Sequence, residues 1–212
     1  MIALPEVPRL VGARVVLEPL SVAHGPDLAI AAEEDRATYR FTAVPRAATV
    51  EDYIDMQLRR RDEATMVPFA QVRASDGRSV GCTAYVDFRY FPDSSRLAAV
   101  MIGWTWLAAS AQRTGINREA KLLLLAHAFN ALGAERVDLA TDDRNDRSRQ
   151  AIANLGATFE GVLRSWSRSH APGEEGRLRD TAMFSVVRRE WPLVEARLRQ
   201  QLAGPAAEGR RR

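Results

Sequence analysis

Apolar and polar positions along the chain alternate, then cluster, in a pattern that predicts a sheet interrupted by helices. Arg14-Val15-Val16-Leu17-Glu18-Pro19 reads as a first strand, because β-branched residues run up to a proline. Ser21 is expected to cap a helix reaching about Glu34, with Ala23, Leu28, Ile30, Ala31 and Ala32 on its apolar side. Thr49-Val50-Glu51-Asp52 has the capping-box spacing and opens a second helix, whose apolar face is Tyr53, Ile54, Met56 and Leu58. Pro68–Arg73 and Ser79–Phe88 read as a hairpin about Asp76-Gly77. Arg96–Ala108 is apolar almost throughout, which predicts a central strand. The best helical pattern spans Arg118 to Leu132, with Leu122, Leu125, Ala126 and Phe129 on one face and Gly133 as its stop. A short strand Arg136–Ala140, a helix Asp146–Leu155 closed by Gly156, a strand pair Thr158–Ser167 and Leu178–Val187, and a terminal helix Glu190–Leu202 complete the order. Strands alternating with crossover helices indicate an α/β (α+β) protein with a mixed sheet of about seven strands.

Composition narrows this picture. No 20–50-residue repeat and no Pro/Gly/Ser-rich linker divides the chain, so residues 9–202 are expected to form a single domain. The remainder, residues 203–212, closes on Arg210-Arg211-Arg212 and is expected to be a disordered basic tail. The longest apolar stretch, Leu97 to Ala109, is 13 residues and is broken by Gly103 and Thr105; a membrane span needs about 20. Met1-Ile2-Ala3-Leu4-Pro5-Glu6 has no basic start and no long apolar run, so no secretory signal is read. The lone Cys82 excludes an internal disulfide and a cysteine metal cluster, and reads as a small buried hydrophobe. Together these favour the cytoplasm. Thirty basic residues face 27 acidic ones, and Lys121 is the one lysine. Runs such as Arg59-Arg60-Arg61-Asp62-Glu63 are solvated helix faces, and no basic stripe with interleaved aromatics marks a nucleic-acid binder. His127 falls among Leu125, Ala126 and Phe129 and reads as structural, and His24 and His170 have no ligand-spaced partners, so no metal is expected.

Chemistry concentrates between residues 98 and 132, where a strand, a glycine turn and a helix follow one another. A helix that opens on a tight glycine turn aims several free N–H groups at one spot, and its dipole favours a phosphate there. Gly115 lets the backbone approach, and Gln112 and Arg113 can add hydrogen bonds or charge. The segment is neither a Walker loop nor a Gly-x-Gly-x-x-Gly fingerprint. Taken alone, it reads first as an ordinary βα loop with a convenient glycine.

Its company points further. Gln112-Arg113-Thr114-Gly115-Ile116-Asn117, behind Ile102-Gly103-Trp104-Thr105-Trp106-Leu107, resembles the Gln/Arg-x-x-Gly-x-Gly/Ala acyl-CoA signature of the GCN5-related N-acetyltransferases. Asn145-Asp146-Arg147-Ser148 followed by Leu155-Gly156 is similar to that family's next motif. Phe159-Glu160-Gly161-Val162-Leu163-Arg164, Arg179-Asp180-Thr181-Ala182-Met183-Phe184-Ser185 and Glu190-Trp191 resemble its ribosomal-protein alanine and serine branch, the RimJ/RimL type. The resemblance runs in order over residues 10–200.

The resemblance implies a bulged fourth strand splayed from the fifth, with a V-shaped cleft for the pantetheine arm of acetyl-CoA. Backbone groups of Trp106, Leu107 and Ala108 would hold that arm, with an N–H near Leu107 as oxyanion donor. Gln112, Arg113, Thr114, Gly115, Ile116, Asn117 and Arg118 would bind the pyrophosphate, with Asn145 and Ser148 also contacting the cofactor. Ser148 is the candidate proton donor to the leaving thiolate; the residues alone allow it equally to cap its helix. Three positions depart from the family pattern. Asn117 replaces a small residue, Met101 stands where many members carry a glutamate base, and Ile152 where many carry a tyrosine. The carboxylate that the branch places on its sixth strand would fall on Ser167. Asp87, Glu160 and Asp180 read as ordinary strand or loop charges. The implied reaction is direct attack of a primary amine on acetyl-CoA, the amine being a peptide N-terminus. Alternatives are a small-molecule amine such as an aminoglycoside or polyamine, drawn by Glu33, Glu34, Asp35, Glu174 and Glu175, or a non-catalytic module that holds CoA or RNA. A monomer or homodimer is expected.

Overall fold

The computed structural model describes residues 7–203, so the expected basic tail beyond Ala203 lies outside the described residues. One sheet joins β1 (Leu10–Val11), β2 (Val15–Pro19), β3 (Met66–Arg73), β4 (Ser79–Tyr90), β5 (Leu97–Leu107), β6 (Arg136–Asp142), β7 (Thr158–Arg168) and β8 (Leu178–Val187). Its spatial order is β1-β2-β3-β4-β5-β6-β8-β7. The seven expected strands are all present. The two-residue β1 is additional, so the expected fourth and fifth strands are β5 and β6. Every neighbouring pair is antiparallel except β5 and β6. The helices are α1 (Gly25–Glu33), α2 (Val50–Asp62), α3 (Ile116–Ala126), α4 (Asp146–Leu155) and α5 (Trp191–Ala203).

Strand alternation divides the core into two layers. On one face, Trp106 donates from Nε1 to the Tyr53 hydroxyl of α2 at 3.1 Å, and Ala84 and Val86 pack with Met66. On the other, Tyr85 donates to the Leu124 carbonyl of α3, and Val100, Ile102, Val137 and Leu139 are buried. Cys82 is fully buried between strands, and burial pushes its thiol well above the ordinary range.

Several local expectations need correction. Ser21 does not cap one long helix. A 3-10 turn, Val22–His24, comes first, Ser21 N donates to His24 Nδ1 at 3.1 Å, and α1 starts at Gly25 with Pro26 in its first turn. Ile30 is 57% exposed and Ala23 is exposed, so the buried stripe of α1 is Leu28, Ala31 and Ala32. Thr49 forms no capping box with α2; its Oγ1 accepts from Arg46 N at 3.1 Å in the preceding turn. The central helix begins two residues earlier than its periodicity suggested, at Ile116, and passes into a π-helical stretch, His127–Ala131, before Gly133 at φ +71° stops it.

Candidate active site

β5 and β6 pair only from Ala99 with Arg136 to Ile102 with Leu139. Beyond that point they part, β5 running on to Leu107 along β4 and β6 to Asp142 along β8. The cause is a bulge in β5. Cys82 faces Trp106 and Ala84 faces Gly103, so two residues, Trp104 and Thr105, stand opposite Thr83 alone. Trp104 takes φ +53° to make the turn. The buried Gln71 repairs the disturbed ladder, its Nε2 donating to Cys82 O at 2.9 Å and Trp106 O at 3.1 Å. Gly81 is required there, since a Cβ would lie 2.1 Å from Trp106 O. Ala108 N donates to Val80 O at 2.7 Å, so alternation turns the Leu107 N–H and C=O to the opposite edge, into the V between β5 and β6.

α3 starts at one lip of the V and α4 at the other, since parallel strands end on the same side. Arg113 at φ +64° and Gly115 at φ +91° fold the chain sharply before Ile116. Glu119 N is the first amide to close onto the turn, at Gly115 O, which leaves the preceding amides outside the helical ladder. Thr114 Oγ1 donates to Ala111 O at 2.7 Å and receives a long bond from Ile116 N. Arg113 and Arg118 form no ion pair among the described residues, so both charges stand free beside this helix end. Asn117 turns its side-chain oxygen inward, where it is buried without a partner among the described residues.

Asn145 caps α4, its Oδ1 accepting from Ser148 N at 3.1 Å. Ser148 therefore does not act as the cap, and its half-buried hydroxyl stays clear of that bond. Gln112 ties the lips together. Its Nε2 donates to Leu107 O at 2.9 Å and Thr38 Oγ1 at 3.2 Å, and its Oε1 accepts from Arg147 of α4 at 3.0 Å. The two motifs, 33 positions apart from Gln112 to Asn145, thus meet at one opening.

The sheet face shared by Met101, Asp138 and Asp142 carries arginines instead of a helix. Arg89 and Arg136 both bind the buried Asp138. Arg136 also holds Glu160, whose other partner is Ser185; these bonds, Arg136 first, pull the Glu160 carboxyl down to about 2. Arg144 grips Asp142 at 2.8 Å and Glu174 at 2.7 Å, and stacks over Phe41, joining the loop after α1 to the β7–β8 turn. Ile152 is buried in the core. The acids expected to draw a cationic amine are all engaged internally. Glu33 accepts from Ala47 N and Arg46, Glu34 from Ser110, Asp35 from Ala37 N, Glu174 from Arg144 and Ser169, and Glu175 from Gly173 N. Sequence reasoning also missed Lys121, whose Nζ is buried under the bulge, 2.5 Å from Thr105 Oγ1, with burial lowering the amine to about 7. The signal was present: a single lysine inside the apolar run of α3. Among the described residues no cluster of three or more His, Cys, Asp or Glu offers a metal site, and no helix is long and apolar enough to cross a membrane.

A parallel pair forced apart by a bulge, with a glycine-opened helix at its lip, defines an acyl-CoA transferase cleft. Residues 14–158 match the acetyltransferase (GNAT) domain model, and the chain belongs to that family. It is an N-acetyltransferase, and enzymes of this family take their acetyl group from acetyl-CoA. A GCN5-related N-acetyltransferase from Brucella melitensis is 28% identical, with TM-score 0.80 over 97% of this chain and 90% of that one. A protein from T. thermophilus described as an acetyltransferase is 35% identical, with TM-score 0.75 over 95% and 100%. RimJ of Mycobacterium smegmatis, solved with CoA-disulfide, shares the fold at 20% identity and TM-score 0.73 over 92% and 93%. No curated protein sequence matches the chain.

The site's geometry fits acetyl-CoA: a positive helix end with two free arginines at the lip, and an unpaired strand edge leading inward. Gly115 carries a testable part of that fit. A Cβ there would lie 3.2 Å from Arg14 Cδ, at a φ that β-branched residues avoid. Gly115→Val is therefore expected to weaken acetyl-CoA binding at least about tenfold, or about 1.4 kcal/mol. Calorimetry on the folded variant decides; unchanged affinity would detach this turn from the cofactor.

Proposed function

We propose that this chain acetylates the α-amine of a peptide or protein N-terminus in the cytoplasm, as an enzyme of the RimJ/RimL type, working as a monomer or homodimer. The observation that carries this reading is that the three acids Asp138, Asp142 and Glu160, on the face beside Met101, are each bound by arginine. Asp138 is held by two arginines, Asp142 by Arg144, and Glu160 is pulled down to about 2 by Arg136 and Ser185. A carboxylate so acidic cannot strip a proton from a lysine ammonium near 10.4. The amine must arrive neutral. At pH 7 roughly a tenth of α-amines are neutral, against well under about a thousandth of lysine side chains.

Acetyl-CoA, when bound, supplies the activated acyl group, so no protein nucleophile is needed; the buried Cys82 is unsuited to be one. Ile116, Asn117 and Arg118 present backbone amides to the pyrophosphate, Gly115 admits it, and Arg113 and Arg118 add charge. Trp106, Leu107 and Ala108 form the strand edge that holds the pantetheine arm, with Thr114 and Gln112 fixing the turn. The Leu107 N–H faces the V and is the oxyanion donor. Ser148 Oγ holds the proton for the departing sulfur, while Asn145 keeps the first turn of α4 in place.

The test is competition, scored by kcat/KM, among a Ser- or Ala-terminal peptide, its N-blocked lysine-containing counterpart and an aminoglycoside. The free N-terminus is expected to win. A better blocked peptide would overturn the α-amine argument; a better aminoglycoside would keep the acetyltransferase and change its substrate class.

A further inference from the structure

On the arginine-covered face, the guanidiniums along β4, β6 and the end of β6 are balanced by carboxylates. Arg89 and Arg136 share Asp138, Arg136 also holds Glu160, and Arg144 takes both Asp142 and Glu174. Arg179 forms no ion pair among the described residues. It lies at the start of β8, two residues before Thr181, which is paired with Asp142 at the end of β6. That is the end of the sheet where β5 and β6 have parted and where α3 and α4 begin.

The guanidinium is also fixed in place. Its Nε donates to Ser167 Oγ at 2.9 Å, and Ser167 bonds in turn with Thr181 Oγ1 at 3.0 Å. Ser167 is the register partner of Arg179 on β7, so the opposing position supplies a hydroxyl acceptor and no counter-charge. Asp142 attracts the guanidinium, but its oxygens are already taken by three bonds from Arg144. Half-burial disfavours the charged form, which an anion in contact would reverse. A cation that is half-buried, oriented by the Ser167 hydroxyl and left unpaired has the four N–H donors of Nη1 and Nη2 to offer a ligand.

We propose that Arg179 binds a carboxylate or phosphate on the acceptor, so that the preferred acceptor is an amine with a negative charge close to the reacting nitrogen. This rests on the α-amine reading above and specifies it: the favoured N-terminus carries an acidic or phosphorylated residue just behind its first position.

The test uses four peptides that differ only at the second residue: Ser-Asp, Ser-phosphoserine, Ser-Asn and Ser-Lys. Alanine and alanine amide serve as a small-molecule pair. Wild-type enzyme is expected to favour an anionic peptide over Ser-Asn by at least about tenfold in kcat/KM; comparing Asp with phosphoserine identifies which anion. Arg179→Gln is expected to erase that preference, with the Ser-Asn rate and the acetyl-CoA Kd each held within about twofold. Arg179→Lys should keep part of it, and serves if the glutamine variant fails to fold. Equal wild-type rates for Ser-Asp, phosphoserine and Ser-Asn would overturn the inference. So would an Arg179→Gln variant that loses all acceptors alike or loses acetyl-CoA affinity. If no peptide is acetylated but alanine outruns its amide in an Arg179-dependent way, the peptide reading fails and the anion site stands.

Discussion

Replacing Ser148 with alanine is expected to lower turnover about a hundredfold while leaving acetyl-CoA affinity within about threefold. The separation follows from where the hydroxyl stands. α4 is capped by Asn145, whose Oδ1 takes the Ser148 amide at 3.1 Å, so deleting the hydroxyl leaves the cap intact. Arg147, the neighbour that spans the V to Gln112 and the Thr38 carbonyl, keeps both contacts, so the lips stay in register. The lost bond is one that forms as charge gathers on the departing sulfur, and such a bond acts on kcat more than on ground-state binding. Steady-state kinetics at saturating acceptor, beside calorimetry with acetyl-CoA, measure the two quantities separately. A fall in affinity with unchanged kcat would make Ser148 a binding residue only.

What was legible in the chain was local. Glycines at positive φ, Gly77, Gly115, Gly133 and Gly156, sit where turns or helix ends were expected, because a left-handed residue is a property of a few consecutive positions. The order of strands and helices along the chain followed from apolar periodicity, whereas the two motifs at the V were read through the family resemblance, the first of them alone passing for an ordinary βα loop. The bulge at Trp104 was expected only through the family resemblance, since nothing in Gly103-Trp104-Thr105 announces a positive φ; it arises from register against β4 and is secured by Gln71, 35 positions from Trp106. The partners of charged residues were hidden for a similar reason. Glu34 meets Ser110 across 76 positions and Glu174 meets Arg144 across 30, so acids that look available in sequence are taken in the fold. Arg179 is the converse, a charge that looks ordinary until its register partner proves to be Ser167.

The largest stability effect is expected from Glu119→Ala, at about 3 kcal/mol. Glu119 lies in the first turn of α3 and is buried, and its Oε2 accepts from Arg14 N at 2.6 Å and Val15 N at 2.9 Å. Those amides lead into β2, so a single carboxylate fastens α3 to the sheet more than a hundred positions earlier. Gly12 is shaped to admit it, since a Cβ there would come within 2.5 Å of Oε2. Alanine removes the one oxygen that accepts both bonds and leaves two amides without partners, at roughly 1–3 kcal/mol for each that stays dry. For a domain of this size, about 3 kcal/mol lowers Tm by about 6–12 °C. Glu119→Gln retains an oxygen that can take both amides but loses the charge that strengthens those bonds and faces Arg14, and is expected to lose about half as much. The damage should reach the site as well. Arg14, whose Nη1 is 3.8 Å from Glu119 Oε1, packs its side chain against Gly115, so acetyl-CoA affinity is expected to fall along with stability. Urea unfolding of the three proteins, with affinity measured well below each melting point, checks both effects. A loss under about 1 kcal/mol for alanine would mean that water reaches the two amides and that α3 is held by its apolar face alone.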